Sequence, residues 1–231
     1  MIVETDLDFS SGGSLRNQRQ FLSSGSFTVP DGVTKLYITA CGGGAGGTQY
    51  SGGYRAGTPG GDTSFGEIIT CHGGVTGGSQ SHEGGGVTAP DTCLDYAFNG
   101  GSTNKAGIPG GGSGQRKGGL GGDRGGGGGA SALADGGDGF MNHNYLPIKP
   151  VKSGFGAGGG GGGTGIGTGS AGDNGCGGSG AGAVINAPID VTPGDTHLVT
   201  IGAGGVAAFY NGSYVAGHGG DGMLIVRWEG V

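Results

Sequence analysis

Residues 27–47 read FTVPDGVTKLYITACGGGAGG, and the change of character at Cys41 decides what kind of fold this chain can have. Before it, Phe27 and Val29 alternate with polar neighbours, Pro30-Asp31-Gly32 supplies a turn, and Leu36 and Ile38 alternate again, the pattern of two short strands around a reverse turn. After it, side chains all but vanish. The chain holds 68 glycines in 231 residues, gathered in blocks such as 125–129 and 158–163. Ordering a glycine in place of an alanine costs roughly 0.5–1 kcal/mol. Ordering this many therefore costs on the order of tens of kcal/mol, several times the roughly 5–15 kcal/mol net stability of a domain. Either the blocks stay disordered or their packing offsets that cost.

Flexible glycine linkers are diluted with Ser, Gln, Pro and charge. Here charged residues are only 12% of the chain and the spacers between glycines include Ala, Ile, Val, Phe and Tyr, so little keeps the tracts solvated. Collagen is excluded, because no Gly-X-Y period runs through the chain and Pro numbers 8. The packed alternative is polyglycine II: extended three-residue-per-turn segments, rising about 3.1 Å per residue, whose backbones approach until they hydrogen-bond sideways. The core is then backbone. Apolar alternation returns in SFGEIITC (64–71), in 183–191, in 197–201 after the Pro193-Gly194-Asp195 turn, and in MLIVRW (223–228). The sequence therefore predicts an all-β chain with little or no α-helix. Framing strands in 26–41, 64–71 and 183–228 brace a polyglycine II body over about 42–182, and residues 1–25 read as a connector.

The net charge of -6 argues against a nucleic-acid surface, which needs clustered Lys and Arg. No run approaches the roughly 20 apolar residues of a membrane span, and MIVETDLDF lacks the basic and apolar regions of a signal peptide, so neither membrane insertion nor Sec export is expected. Cys41, Cys71, Cys93 and Cys176 show no CxxC spacing and read as free thiols, with a Cys71–Cys93 bridge left open. At this glycine content a GxGxxG string carries no information, and Arg116-Lys117 is followed by Gly118 where a P-loop needs Ser or Thr. His72, His82, His143, His197 and His218 are dispersed, and no acid, base or nucleophile constellation emerges; neither an enzyme nor a cofactor is expected. Asp62, Asp123, Asp135, Asp138, Asp173 and Asp221 sit beside glycines as calcium ligands can, yet no nonapeptide period repeats, and Asp-Gly reads as a turn; no metal site is expected.

Three strings, FTVPDGVTKLYITACGGGAGG (27–47), VTPGDTHLVTIGAGG (191–205) and GHGGDGMLIVRW (217–228), together resemble the glycine-rich domain of bacteriophage tail-fibre and adhesin proteins. The opening DLDFSSGGSLRN is similar to connector segments of phage fibres. The resemblance implies a receptor-binding tip that attaches a virion to the bacterial surface, assembled in the host cytoplasm. Its implied partners are a surface polysaccharide or outer-membrane protein and, through the N-terminal segment, other tail-fibre or baseplate proteins.

Four stretches carry residues suited to such contacts, since Tyr gives area at low entropic cost and amides give hydrogen bonds. Stretch 48–56 offers Tyr50, Tyr54 and Arg55, and 88–99 offers Tyr96 and Phe98. Stretch 140–155 offers Met141, Asn142, His143, Asn144, Tyr145 and Lys149, and 206–216 offers Phe209, Tyr210, Asn211 and Tyr214. A structural or assembly role in a fibre is the alternative, and an ice-binding glycine-rich protein is a more distant one. Fibres being threefold, a homotrimer is expected, with a monomer capping a trimeric fibre as runner-up. Light scattering in solution should give three times the 22.0 kDa chain mass; the mass of a single chain would reject the trimer.

Overall fold

The structure is a computed structural model and describes residues 16–50, 54–76, 83–102, 111–119, 127–138, 140–142, 152–158, 162–164, 176–210, 213–214 and 216–230. Its strands are, in chain order, β1 Arg16–Phe21, β2 Gly25–Thr28, β3 Lys35–Cys41, β4 Gln49–Tyr50, β5 Tyr54–Arg55, β6 Thr63–Phe65, β7 Ile69–Cys71 and β8 Val87–Thr88. They continue as β9 Ala97–Phe98, β10 Phe140–Asn142, β11 Gly162–Thr164, β12 Ala183–Asp190, β13 Thr196–Thr200, β14 Phe209–Tyr210, β15 Ser213–Tyr214 and β16 Met223–Glu229. Among the described residues the one helical element is a 3-10 turn at Asp91–Tyr96, so the fold is all-β.

Two five-stranded antiparallel sheets, in the orders β1-β16-β3-β12-β9 and β2-β13-β6-β7-β8, share one apolar core. Leu36, Ile38, Val184, Leu224 and Val226 come from the first sheet and Phe27, Phe65, Ile69 and Val199 from the second, and all are buried. Trp228 packs its ring on Phe27 with centroids 5.4 Å apart. Alternation produced this: β3 buries Leu36 and Ile38 while Lys35 faces solvent.

Two details differ from the sequence expectation. SFGEIITC is not one strand but the hairpin β6–β7, because Gly66 takes φ +54 and the Ile68 N–H closes a turn on the Phe65 carbonyl at 3.2 Å. Arg16–Phe21, inside the stretch read as a connector, pairs in unbroken register with β16 and buries Phe21 in the core. Its single apolar residue in RNQRQF hides the strand from pattern reading. None of the four cysteines forms a disulfide and all are buried, and Cys71 and Cys93 aim elsewhere than at each other: Cys71 Sγ donates to the Ala40 carbonyl at 3.6 Å and Cys93 Sγ to that of Pro188 at 3.3 Å. Burial pushes the Cys41 thiol up to about 12, so it stays protonated at neutral pH.

At one end of the sandwich the strands do not close in turns but run on as rows of glycine. Row 42–48 continues β3, row 72–76 continues β7 and row 202–208 follows β13, while rows 58–61, 83–86, 176–182 and 217–222 lead back into β6, β8, β12 and β16. Along 42–48 the N–H groups donate in a cycle of three. Gly42, Ala45 and Thr48 bond the carbonyls of Gly182, Ser179 and Cys176; Gly43 and Gly46 bond Gly61 and Thr58; Gly44 and Gly47 bond Gly220 and Gly217. A partner that returns every third residue means that the row offers three sides in turn.

Its carbonyls face the spaces between: Gly43 accepts from Gly74, and Gly44 and Gly47 accept from Gly205 and Ala208. Ala157, in row 156–158, closes the last side against Gly44. The surrounding rows then bond one another around a closed ring. Thr58 and Gly61 donate to Val206 and Ala203, Gly219 and Gly222 to Gly205 and Gly202, and Gly220 to Ala157. Ala181 donates to Gly156, Ser179 and Gly182 to Val75 and His72, and Gly60 to Gly74, which completes the circuit. A second ring, sharing rows with the first, encloses 176–182: His72 donates to Gly86, Gly100 to Gly85, Gly101 to Ala130 and Gly158 to Gly129.

Such packing leaves no space for side chains. A Cβ at Gly43, Gly44, Gly46, Gly178 or Gly219 would fall within 3.0 Å of a neighbouring backbone atom. The enclosed rows admit only small residues, Ala45, Thr48, Cys176, Ser179 and Ala181, all buried. Two of their hydroxyls bond main chain: Thr48 Oγ1 donates to the Cys176 carbonyl at 3.1 Å and accepts its N–H at 3.0 Å, and Ser179 Oγ accepts the Val75 N–H at 2.8 Å. In Gly46→Ala the new methyl meets the Val206 carbonyl, and denaturant unfolding should show a loss of about 2–4 kcal/mol. Gly86→Ala, where the nearest atom is an Asn99 side-chain oxygen at 3.8 Å, should change stability by less than about 1 kcal/mol. Equal losses would contradict the packing.

Candidate functional site

Rows that continue from or lead into a sandwich strand are anchored there at one end, so the far end of each is fixed by its length. Row 42–48 delivers β4 and β5 there, and row 202–208 delivers β14 and β15. The two hairpins emerge side by side, since Gly47 bonds both Ala208 and Gly217, the residues that flank β14–β15. The chain at 140–142 and 162–164 joins the same end through backbone pairing: β10 lies parallel to β11, and β11 parallel to β4. The resulting four-stranded sheet has the order β10-β11-β4-β5 and aligns Met141, Gly163, Tyr50 and Tyr54 in one register line, with Phe140, Gly162, Gln49 and Arg55 in the next.

Three of the four stretches chosen by composition thus meet at the tip of the rows. Tyr50, Tyr54 and Arg55 sit on β4 and β5, Met141 and Asn142 on β10, and Phe209, Tyr210 and Tyr214 on β14 and β15, with Phe209 53% exposed. His143, Asn144, Tyr145, Lys149 and Asn211 lie outside the described residues. The fourth stretch is elsewhere. Residues 88–99 cross one flank of the sandwich, where Cys93 is buried in the core, Tyr96 is exposed, and Phe98 packs against the cluster of Cys41, Ala132, Ala183 and Met223.

The returning end of the 140–155 stretch is held by charge and hydrogen bonds that sequence reading did not pair. Lys152 forms an ion pair with Asp221, whose other oxygen accepts the Gly204 N–H at 2.8 Å. Burial alone would raise the Asp221 pKa; the Lys152 and Gly204 hydrogen bonds outweigh it and hold the carboxyl below its ordinary 3.8. His218, one row turn away, accepts the Ala207 N–H on Nδ1 at 3.0 Å while its carbonyl accepts the Ser153 N–H. Burial, and then the Lys152 charge, lower its pKa below 6.5.

A second polar clip sits where rows join the sandwich. Asp62 Oδ2 meets His72 Nδ1 at 3.1 Å, His72 Nε2 meets Thr88 Oγ1 at 2.9 Å, and Asp62 Oδ1 accepts the Gly73 N–H at 2.8 Å. Asp135 likewise accepts the Lys117 N–H at 2.9 Å. These carboxylates, each beside a glycine in sequence, cap main-chain donors of neighbouring rows. Among the described residues no cluster of three metal-ligating side chains forms, and no helix is long and apolar enough to cross a membrane.

Comparison with protein-family models, with curated proteins and with solved structures finds no match to this chain.

The neutral His218 ring is the form that accepts the Ala207 N–H, and burial, then the Lys152 charge, depress its folded pKa, so its contribution is complete above pH 6.5. That contribution is lost as pH falls through the lowered value, and the Asp221 contribution follows below 3.8. The protection factors of amides in 202–208 and 217–222, taken relative to intrinsic exchange at each pH, should therefore fall as pH drops below 6.5 in the native protein. His218→Gln should flatten that change; an unaltered pH profile in the variant would contradict the assignment.

Proposed function

We propose that this protein is the receptor-binding tip of a bacteriophage tail fibre, attaching the virion to the bacterial surface through segments displayed on a polyglycine II scaffold. The observation that carries the reading is the polarity of the molecule. The hairpins β4–β5 and β14–β15 and strand β10 gather at the far end of the rows, while Arg16 and Glu229 stand opposite each other at the other end of the sandwich. A head held at its base and exposing its tip is what attachment requires. The three-residue hydrogen-bond cycle supports the polyglycine II description.

The mechanics follow from the packing. Rows whose every side is bonded to another row are stiff, so the tip segments are presented without a hinge, and binding does not pay to order the scaffold. The tip residues can vary freely, because the scaffold takes its stability from backbone and not from them. Tyr50, Tyr54, Tyr210 and Tyr214 supply ring area, and Arg55 and Asn142 supply donors and acceptors suited to sugar hydroxyls or loop backbones.

Purified protein should bind susceptible cells and block phage adsorption competitively. A Tyr50→Ser, Tyr54→Ser double variant should lose about tenfold or more in binding with little change in unfolding midpoint. Particles that carry this variant and assemble fully yet fail to adsorb would fit attachment. Particles that fail to assemble would instead make it a structural component and overturn the reading.

A further inference from the structure

The sandwich has two flanks, and they are finished differently. On one, the edges β9 and β8 are bridged by the 3-10 turn Asp91–Tyr96, which inserts Cys93 into the core at 0% exposure. On the other, the edges are β1 and β2, and among the described residues no strand pairs with the outer side of either. They are joined by Leu22–Ser24, and the arch encloses a concavity of about 230 Å³ lined by Arg19, Phe21, Leu22 and the serines 23, 24 and 26. Leu22 is 53% exposed there.

An unprotected edge strand is a template for another strand. β1 is six residues long with unbroken register, and it carries no proline and no bulge. Its chemistry sets what it would accept. In a chain of net charge -6, Arg16 lies on this strand and Arg227 beside it on the same face of the sheet, Arg227 donating from Nε to Gln18 Oε1 at 3.3 Å; Arg19 takes the opposite face, with Phe21. The Arg19 guanidinium lies over the Phe21 ring, 5.0 Å from its centroid, and its Nε is buried without a hydrogen-bond partner.

We infer that β1 is a docking edge, to which an extended segment of another protein, bearing carboxylates on alternate residues, adds as a sixth strand of the first sheet. A second copy of this chain fits poorly. A ring of copies needs two complementary surfaces, and here one flank is open while the other is bridged; two β1 edges would also bring their arginines together. The base location makes this surface distinct from the tip, and the inference does not depend on what the tip binds.

The test uses the full isotope-labelled chain and two synthetic peptides, acetylated and amidated: Val-Asp-Val-Asp-Val-Asp-Val and its Lys counterpart. The Asp peptide should shift and slow the amides of Arg16–Phe21, bind at least about tenfold more tightly than the Lys peptide, and weaken as salt rises. Arg227→Glu, a half-exposed site outside the core cluster, should weaken it several-fold without changing the fold. Unchanged β1 amides at millimolar Asp peptide, equal binding of both peptides, or binding seen only after removal of residues 1–15 would each overturn the inference. The last would mean that the chain's own N-terminal segment, with Glu4, Asp6 and Asp8, occupies the edge.

Discussion

Everything in this molecule depends on one row, 42–48, being able to give each of its N–H groups to a different neighbour in rotation. That is possible only where neighbouring backbones approach to hydrogen-bonding distance on every side, and only glycine or an occasional alanine, serine, threonine or cysteine permits it. A buried main chain must find partners. In a sheet it finds them on two sides and covers its faces with side chains; here it finds them all around, and the faces need no cover. The cost in glycine entropy is offset by hydrogen bonds and backbone contacts in place of a side-chain core.

The sandwich and the rows are therefore two solutions to the same problem on one continuous set of strands. At Cys41 the chain passes from β3, which buries Leu36 and Ile38, to 42–48, which buries backbone. β6, β7, β12, β13 and β16 make the same transition near the same level, and the clip of Asp62, His72 and Thr88 fastens it. The apolar core fixes the register of the strands, and the register of the strands fixes which glycine faces which carbonyl. A sandwich at one end is what lets rows without side chains know their places.

Much of this was legible. The strands of FTVPDGVTKLYITA and MLIVRW show in their alternation, and the glycine blocks, by lacking solvating residues, point to order. The neighbour relations were not legible, because glycine carries no side chain by which to choose a partner; nothing in Gly44 announces Gly220. Polar clips were missed for a related reason. Lys152 and Asp221 are 69 residues apart, and only the row geometry brings them together. The absence of glycine proved ambiguous. In 140–142 it marks a tip segment, but in 88–99 it marks a piece of the sandwich, where Cys93 and Phe98 need the volume their neighbours lack.

The central claim is that the enclosed rows are ordered by hydrogen bonds on every side. Native-state amide exchange of the labelled protein tests it residue by residue. The account predicts that the amides of 42–48 and 176–182 exchange only through global unfolding, as slowly as those of Leu36 and Ile38 in β3. Exchange of those glycines at the rate of an unfolded chain, with β3 still protected, would contradict it.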